Sequence, residues 1–378
     1  MDFVLAGGTL IDGTGRDPVE NAAVHIKNGR IEWVGKLSDL PSAAKQAQEK
    51  DVSGKWLLPG IIDAHIHVCW NGEESIFELL ERDRDMIVLE ATAIVKRILE
   101  VGTTTVRDIG GHDYVEMALR RAINAGFIPG PRMKTSGKVI AMTGGHAHFI
   151  AREADGPEEV RKAAREQIKA GADTVKLMAT GGSATPGQDI HASQLTLEEM
   201  AAAVQAAHSM GRTVAAHAHG KGGIKNGLLA GLDSIEHGTY LDEETADLML
   251  ERGAALVMTL AVANPDLSGE LSPTQKADVE RRKPNFAKAQ ENGRNLIALA
   301  REKGIFIGCG TDAGGNPLAV HRFSMAREIQ LMVEYGMPPL EALKIATCNN
   351  ARVLRWENEI GSVETGKYAD IQRPIGRY

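Results

Sequence analysis

Hydrophobic and polar positions alternate along this chain on two scales. Over residues 1–55 the apolar positions come in short runs. Phe3–Leu5, Ala23–Lys27 and Arg30–Val34 predict β-strands. Asn28-Gly29 between the last two predicts a hairpin turn. Asp12-Gly13-Thr14-Gly15 is turn chemistry, and Pro41–Lys50 is a polar, alanine-rich connector. From Trp56 the rhythm lengthens. Apolar runs near 57–68, 103–109, 132–140, 173–179, 213–219, 233–237, 255–261 and 305–311 predict strands. Helical periodicity occupies 75–100, 113–125, 157–170, 196–210, 221–230, 242–252, 275–303 and 320–335. Several of these segments close on a glycine (Gly102, Gly126, Gly171, Gly211, Gly231, Gly253, Gly304), the residue that best adopts the left-handed backbone after a last helical turn. Thr196 with Glu199 forms a capping-box pattern at the start of one of them.

Eight strand–helix repeats predict an α/β protein, a (β/α)8 TIM barrel, over residues 56–355. The predicted strands are short and rich in Val, Ile and Thr, as parallel strands covered on both faces should be. An open doubly wound sheet is the alternative, but no Gly-x-Gly-x-x-Gly turn follows a first strand. A helical pair, Ala319–Tyr335 and Pro338–Leu354, follows the last repeat, and Ile360–Ile371 returns to turn-plus-strand character. Residues 1–55 and 356–378 are therefore expected to build one small β-sandwich domain from both termini.

Composition narrows the function. A formal net charge of −7, with no basic tract, argues against nucleic-acid binding. Three widely spaced cysteines, Cys69, Cys309 and Cys348, suggest a reducing compartment rather than a disulfide framework. No apolar run reaches the length of a membrane span, and the N-terminus has no signal-peptide pattern, so the expected location is the cytoplasm.

The candidate chemistry lies at the strand ends, where barrel enzymes of this class carry their catalytic groups. In Ile61-Ile62-Asp63-Ala64-His65-Ile66-His67, residues two apart share one face of a strand, so both imidazoles point the same way. A lone His-x-His would as readily be one solvated and one core histidine. Here, however, Lys176 lies inside the fourth strand, His217 and His219 end the fifth, His237 ends the sixth and Asp312 ends the eighth. Five strand ends then carry metal-competent or bridging groups, which suits a divalent cation such as Zn²⁺. Burial and neighbouring positive charge lower a lysine pKa, and a neutral amine can take up CO₂ to become an anionic carbamate that bridges two metals. The plainer alternative is a structural lysine paired with a carboxylate.

With His65-x-His67, Lys176, His217, His237 and Asp312 in this order, the chain resembles the binuclear amidohydrolase superfamily. The N-terminal Gly-Gly-Thr-Leu-Ile-Asp-Gly (7–13) and Leu-Pro-Gly-Ile-Ile-Asp-Ala-His-Ile-His (58–67) extend the likeness. Thr-Gly-Gly-His-Ala-His (143–148), Ala-Thr-Gly-Gly-Ser (179–183) and Glu-His-Gly-Thr-Tyr (236–240) are similar to the Xaa-Pro and Xaa-Arg/Lys dipeptidase (prolidase-like) branch, which also looks close to hydrolases of aryl amides and ureas. The resemblance implies two Zn²⁺ or other divalent metals. His65, His67 and Asp312 would hold the more buried one and His217 and His237 the other, with carboxylated Lys176 and a hydroxide bridging them. It implies Asp312 as the base and acid that moves a proton from water to the leaving amine. His146 and Tyr240 would face the scissile carbonyl oxygen. His148 could equally be the inward histidine of its pair, and His219 could orient a ligand or touch substrate. His112, His191, His208 and His321 fall outside the metal set, with His191 a possible pocket residue. The relatives' pattern continues past Ala369-Asp370 with an apolar strand. Here Ile371 is followed by Gln-Arg-Pro-Ile-Gly-Arg-Tyr, so the small sheet is expected to be incomplete or completed differently.

The expected activity is hydrolysis of an amide bond in dipeptides or N-acyl amino acids by a homo-oligomer acting on small molecules. A xenobiotic aryl amide, urea or carbamate is the alternative substrate. A mononuclear deaminase or cyclic-amide hydrolase is a further rival, against which Lys176 argues. A scaffold that lost its metals is disfavoured by the intact ligand set. The segment Ala263–Asn285, with Pro265, Pro273 and Pro284, reads as a long polar loop of the kind that forms lids. Its Arg281 and Arg282, or Arg152 elsewhere, could meet a substrate carboxylate.

Overall fold

The structure is a computed structural model. It describes residues 2–372 except 75, 266, 268, 269, 316, 317, 319, 322 and 323. The expected C-terminal sheet residues 373–378 and part of the expected lid loop lie outside the described residues. The chain forms two compact units, one of residues 1–62 with 338–378, the other of residues 63–337.

The first unit is a mixed sheet. Strands β1 (Asp2–Leu10), β2 (Val19–Lys27) and β3 (Arg30–Lys36) run antiparallel in sequence order. β4 (Gln48–Asp51) and β5 (Trp56–Pro59) add parallel to β1. Ile371–Gln372 pairs antiparallel with β5, so both ends of the chain contribute to one sheet. The hairpin at Asn28-Gly29 forms as its sequence demands, with φ of +52° and +78° at the two turn residues. Period-2 burial splits the apolar side chains into two sets. Leu10, Val24, Ile31, Leu57 and Val363 form one cluster, and Val4, Ala6, Ala23, Leu40 and Ala44 the other. The helical stretch Pro339–Val353 also belongs to this unit. Its middle turn, Ile345–Asn349, is π-helical, and Thr347 Oγ1 donates back to Leu343 O at 2.6 Å.

The second unit alternates parallel strands and helices. β6 (Ile61–Ile66), β7 (Thr103–Asp108) and β8 (Arg132–Thr135) form one sheet. A second contains β9 (Ile140–Ala141), β10 (Arg152–Glu153), β11 (Thr174–Met178), β12 (Thr213–Ala218), β13 (Ser234–His237), β14 (Ala255–Met258) and β15 (Ile307–Cys309). Every residue of β11 to β15 is buried, the signature of parallel strands covered on both faces. Backbone hydrogen bonds join the sheets at both edges. Asp173 N donates to Thr135 O at 2.8 Å, and Thr311 N and Asp312 N both donate to His65 O, at 3.1 and 2.8 Å. The arrangement is consistent with a TIM barrel.

Helices α1 (Ile76–Leu80), α2 (Arg84–Glu100), α3 (Val115–Asn124), α4 (Pro157–Ala170), α5 (Leu197–His208), α6 (Lys221–Ala230) and α7 (Glu243–Arg252) follow the strands. They are succeeded by α8 (Leu260–Ala263), α9 (Pro273–Lys303) and α10 (Ser324–Glu334). The Thr196–Glu199 capping box is present at α5. Gly171, Gly231, Gly253 and Gly304 cap their helices in the left-handed conformation.

Two expectations are corrected. The strand expected over 255–261 stops at Met258, because Leu260 N and Ala261 N donate to the buried carboxylate of Glu328, at 2.9 and 2.6 Å, and start a helical turn. The loop expected over 263–285 is cut short. Ser272 and Gln275 form a capping box with Pro273 at the first helical position, so α9 begins there.

Candidate active site

Parity along each strand decides what faces inward. Asp63, His65 and His67 share one face of β6 and its extension, Lys176 and Met178 share one face of β11, and His217 and His219 follow each other on the same parity. His65, His67, Lys176, His217, His237 and Asp312 line one cleft of about 830 Å³, the solvent at its mouth included. Two of these residues sit at strained backbone positions, His237 at φ +71° and Asp312 at φ +52°. At a strand end this turn aims the side chain over the mouth instead of onward along the strand. Gly310 brings β15 against β6, since a Cβ there would lie 2.4 Å from the Cβ and the backbone N of His65.

The site contains two trios whose ligand atoms lie within 4.8 Å of one another. The first is His65, His67 and Asp312. The Nδ1 atoms of the two imidazoles are already engaged, His65 with Glu236 Oε2 at 2.9 Å and His67 with Gly110 O at 3.0 Å. A carbonyl only accepts, so His67 Nδ1 carries the proton, and the ionised Glu236 asks the same of His65. Both Nε2 atoms face Asp312 Oδ1, at 3.3 and 3.1 Å. Burial would raise the Asp312 pKa, but His65 and His67 outweigh it and hold the carboxylate well below its usual range. Asp63 ties the two strand ends together, accepting from His65 N, Thr311 N and Thr311 Oγ1 at 3.1, 3.1 and 2.7 Å.

The second trio is His217, His219 and His237. His219 Nδ1 meets Thr239 Oγ1 and His237 Nδ1 meets Thr259 Oγ1, each at 2.7 Å, while His217 Nε2 lies 3.2 Å from Gly181 O. Each ring thus keeps its other nitrogen for a ligand. Burial first, then mutual repulsion, pushes His217 well below the usual imidazole value, and burial lowers His219 to about 4. The rings of His65 and His237 are 4.8 Å apart, which makes the two trios one site.

Lys176 is 1% exposed and lines the same cleft. Among the described residues its amine makes no ion pair and no hydrogen bond. A buried, unpaired ammonium costs several kcal/mol. Burial lowers its pKa to about 8, partly offset by Glu236 and Asp312.

His146 enters the cleft and His148 does not. The left-handed φ of +56° at Ala147 turns the chain between them, leaving His146 buried and His148 exposed. Gly182 makes room for the His146 ring, which a Cβ there would approach to 2.4 Å. Thr185 Oγ1 accepts from Ala147 N at 2.9 Å and lies 3.0 Å from His146 Nδ1, so Nδ1 is engaged and Nε2 is the ring nitrogen left for the cleft. Burial, with His219 nearby, lowers His146 to about 3.

The other candidates separate cleanly. Tyr240 packs against the His191 ring at 4.4 Å between centroids, and neither is among the cleft-lining residues. His112 lies against Trp70, His321 Nε2 meets Trp70 O at 2.6 Å, and His208 pairs with Asp233 at 2.8 Å on the surface. Of the three arginines considered for a carboxylate, Arg282 lines the cleft, and it also pairs with Asp278 at 3.4 Å and donates to Val262 O. Arg152 pairs with Glu166 at 3.0 Å, and Arg281 is held by Asp278. Residues the sequence reading passed over are Glu236, Arg107 and Asp63, and the hydroxyls of Thr185, Thr239 and Thr259. Arg107 and Glu236 carried a signal: each is a charge inside an otherwise apolar parallel strand, the same anomaly that marked Lys176.

Residues 56–372 match the Amidohydrolase family, and the chain belongs to that family. Ochratoxinase of Aspergillus niger is 33% identical over 380 residues, covering 92% of this chain and 75% of that protein. A solved Xaa-Pro dipeptidase with methionine bound in its active site is similar at a TM-score of 0.86 and 33% identity, over 100% of this chain and 94% of that one. A prolidase complexed with N-methylphosphonate-L-proline is similar at 0.85 and 32%, over 100% and 93%. The chain is a hydrolase acting on C–N bonds.

Proposed function

We propose that this protein hydrolyses the amide bond of dipeptides or N-acyl amino acids, inside a (β/α)8 barrel that the parallel strands close. The observation that carries the reading is one cleft holding two ligand trios and a cationic side chain, Arg282, on its wall. The donor sets fit a divalent metal at each trio. Imidazole and carboxylate suit zinc, and the nitrogens turned away from the cleft are hydrogen-bonded, as metal-held histidines require. Such metals would supply Lewis acidity, lowering the pKa of water and polarising a carbonyl.

Lys176 complements the second trio, which has no anion of its own. Its amine, when neutral, would add CO₂, forming the N–C bond and releasing one proton, and the carbamate would supply an anion in the cleft that both trios line. The unpaired amine favours this over a structural lysine. Asp312 accepts a proton from water and delivers it to the leaving amine. His146 donates from Nε2 to the oxygen on which charge develops. The second donor in this reading is Tyr240, whose ring rests on His191 and would turn from there into the cleft. Arg282 orients the substrate through its free carboxylate.

The test is a panel of dipeptides and N-acyl amino acids, each beside its C-terminal amide, assayed with zinc-loaded protein. The free acids should be cleaved with kcat/KM at least about tenfold above their amides, the worth of one charge-assisted contact. Arg282→Met should erase that difference. Equal turnover of acids and amides, or turnover confined to aryl amides and ureas, would exclude a carboxylate-bearing substrate.

A further inference from the structure

Arg107 occupies a place where parallel strands ordinarily put an aliphatic side chain. It is 2% exposed, and its guanidinium reaches two other strands. Nε donates to Ala64 O on β6 at 2.6 Å, while Nη1 and Nη2 donate to Ser234 Oγ and Glu236 Oε1 on β13, at 3.2 and 2.8 Å. Ser234 Oγ adds a donated bond to Glu236 Oε1 at 2.6 Å. One carboxylate oxygen is thus saturated, and the other is left for His65 Nδ1 at 2.9 Å. A buried ion pair is weak support for stability, since well-packed apolar residues would do as well or better. Its placement behind one imidazole of the site calls for a different account.

We propose that Glu236, held by Arg107 and Ser234, is a positioning residue that fixes the tautomer and orientation of His65 and so sets the metal affinity of the His65–His67–Asp312 trio. This rests on the metal-dependent reading above. Oε2 can only accept, so His65 must keep its proton on Nδ1 and present the Nε2 lone pair to the cleft. The charge of Glu236 also makes the imidazole a stronger donor to a cation. Arg107 and Ser234 prevent the carboxylate from rotating away and keep it ionised inside the barrel. His67 obtains its orientation from a backbone carbonyl instead, so the side-chain device acts on one histidine of the pair only.

The experiment equilibrates zinc-loaded protein, wild type and Glu236→Gln, in buffers of graded free zinc and counts bound metal. Glutamine keeps the shape and an accepting oxygen but removes the charge. One of the two zincs should leave Glu236→Gln at a free-zinc level about 10 to 100-fold higher than in wild type, with the other unchanged. A role confined to packing would lower the melting temperature of the metal-free protein and leave both zinc curves in place, which would overturn the proposal. If Glu236→Gln fails to fold, Ser234→Ala removes one donor from the same oxygen. It should shift the same zinc by several-fold, and superimposable curves would overturn the proposal equally. Wild-type protein that retains no zinc would overturn the metal-dependent reading itself, a result distinguishable from unchanged curves in the variants.

Discussion

The two ligand trios are built from the same side chain but stand in opposite electrostatic surroundings. His65 and His67 share their site with an ionised Asp312, and Glu236 and Asp63 lie directly behind them. His217, His219 and His237 have threonine hydroxyls and a carbonyl behind them and no acid among them. Two cations a few ångströms apart repel strongly in a site of low dielectric. The first trio can hold a cation with the charge already present. The second has only neutral imidazoles, and in the proposed reading Lys176 supplies its anion. The difference teaches that the two positions need not fill or empty together.

The largest expected effect comes from removing the one carboxylate inside the first trio. Asp312→Asn should reduce kcat on a dipeptide by on the order of 10³-fold or more, because ligand and proton carrier are lost together, and bound zinc should fall below two per chain. Retention of both metals with near-normal kcat would break the assignment of charge to this trio. Next is Lys176→Ala. It should empty the second trio while the first keeps its metal, so metal analysis reads about one per chain, and short carboxylic acids should restore part of the activity. Loss of both metals together would show the trios to be one indivisible site.

How far the sequence reading reached follows the same division. His65, His67, Lys176, His217, His237 and Asp312 were legible because parity and strand-end position depend only on local order. The inward turn of His146 in preference to His148 was not, since it depends on a left-handed Ala147 that nothing in Gly-Gly-His-Ala-His dictates. The start of α9 was obscured by Pro273, read as a loop residue although proline suits a first helical position. Which arginine lines the cleft depends on tertiary packing: Glu166 holds Arg152, Asp278 pairs with both Arg281 and Arg282, and of the three Arg282 also borders the cleft. The buried Arg107–Glu236 pair joins residues 129 apart on strands of two different sheets, and only the fold brings them together.

A smaller effect concerns pH. In the metal-free protein His219 and His146 have folded pKa values of about 4 and about 3, against about 6.5 when unfolded. The unfolded chain therefore binds more protons than the folded one between those limits, and stability rises with pH across that window. Metal-free protein should lose stability as pH falls from about 6.5 toward 4, by at most about 1.4 kcal/mol per pH unit for each such histidine. Thermal melts of wild type and His219→Gln would read the slope, which the variant should flatten. An equal slope in both would mean that His219 is not held neutral by its burial.

The smallest effect sharpens the comparison most. Thr259 is to His237 what Glu236 is to His65: each supports Nδ1, at 2.7 and 2.9 Å. The hydroxyl carries no charge, and a neutral hydrogen bond contributes about 1 kcal/mol, less than one to an ionised group. Thr259→Val keeps the shape and removes the partner. It should weaken the second metal by less than about tenfold, below the shift expected for Glu236→Gln, with the first metal unmoved. If the two variants instead cost the same, orientation alone would explain both, and the charge behind His65 would have no separate consequence. If Thr259→Val cost more, the all-imidazole trio would be the tighter of the two, and the order of filling argued from charge would be reversed.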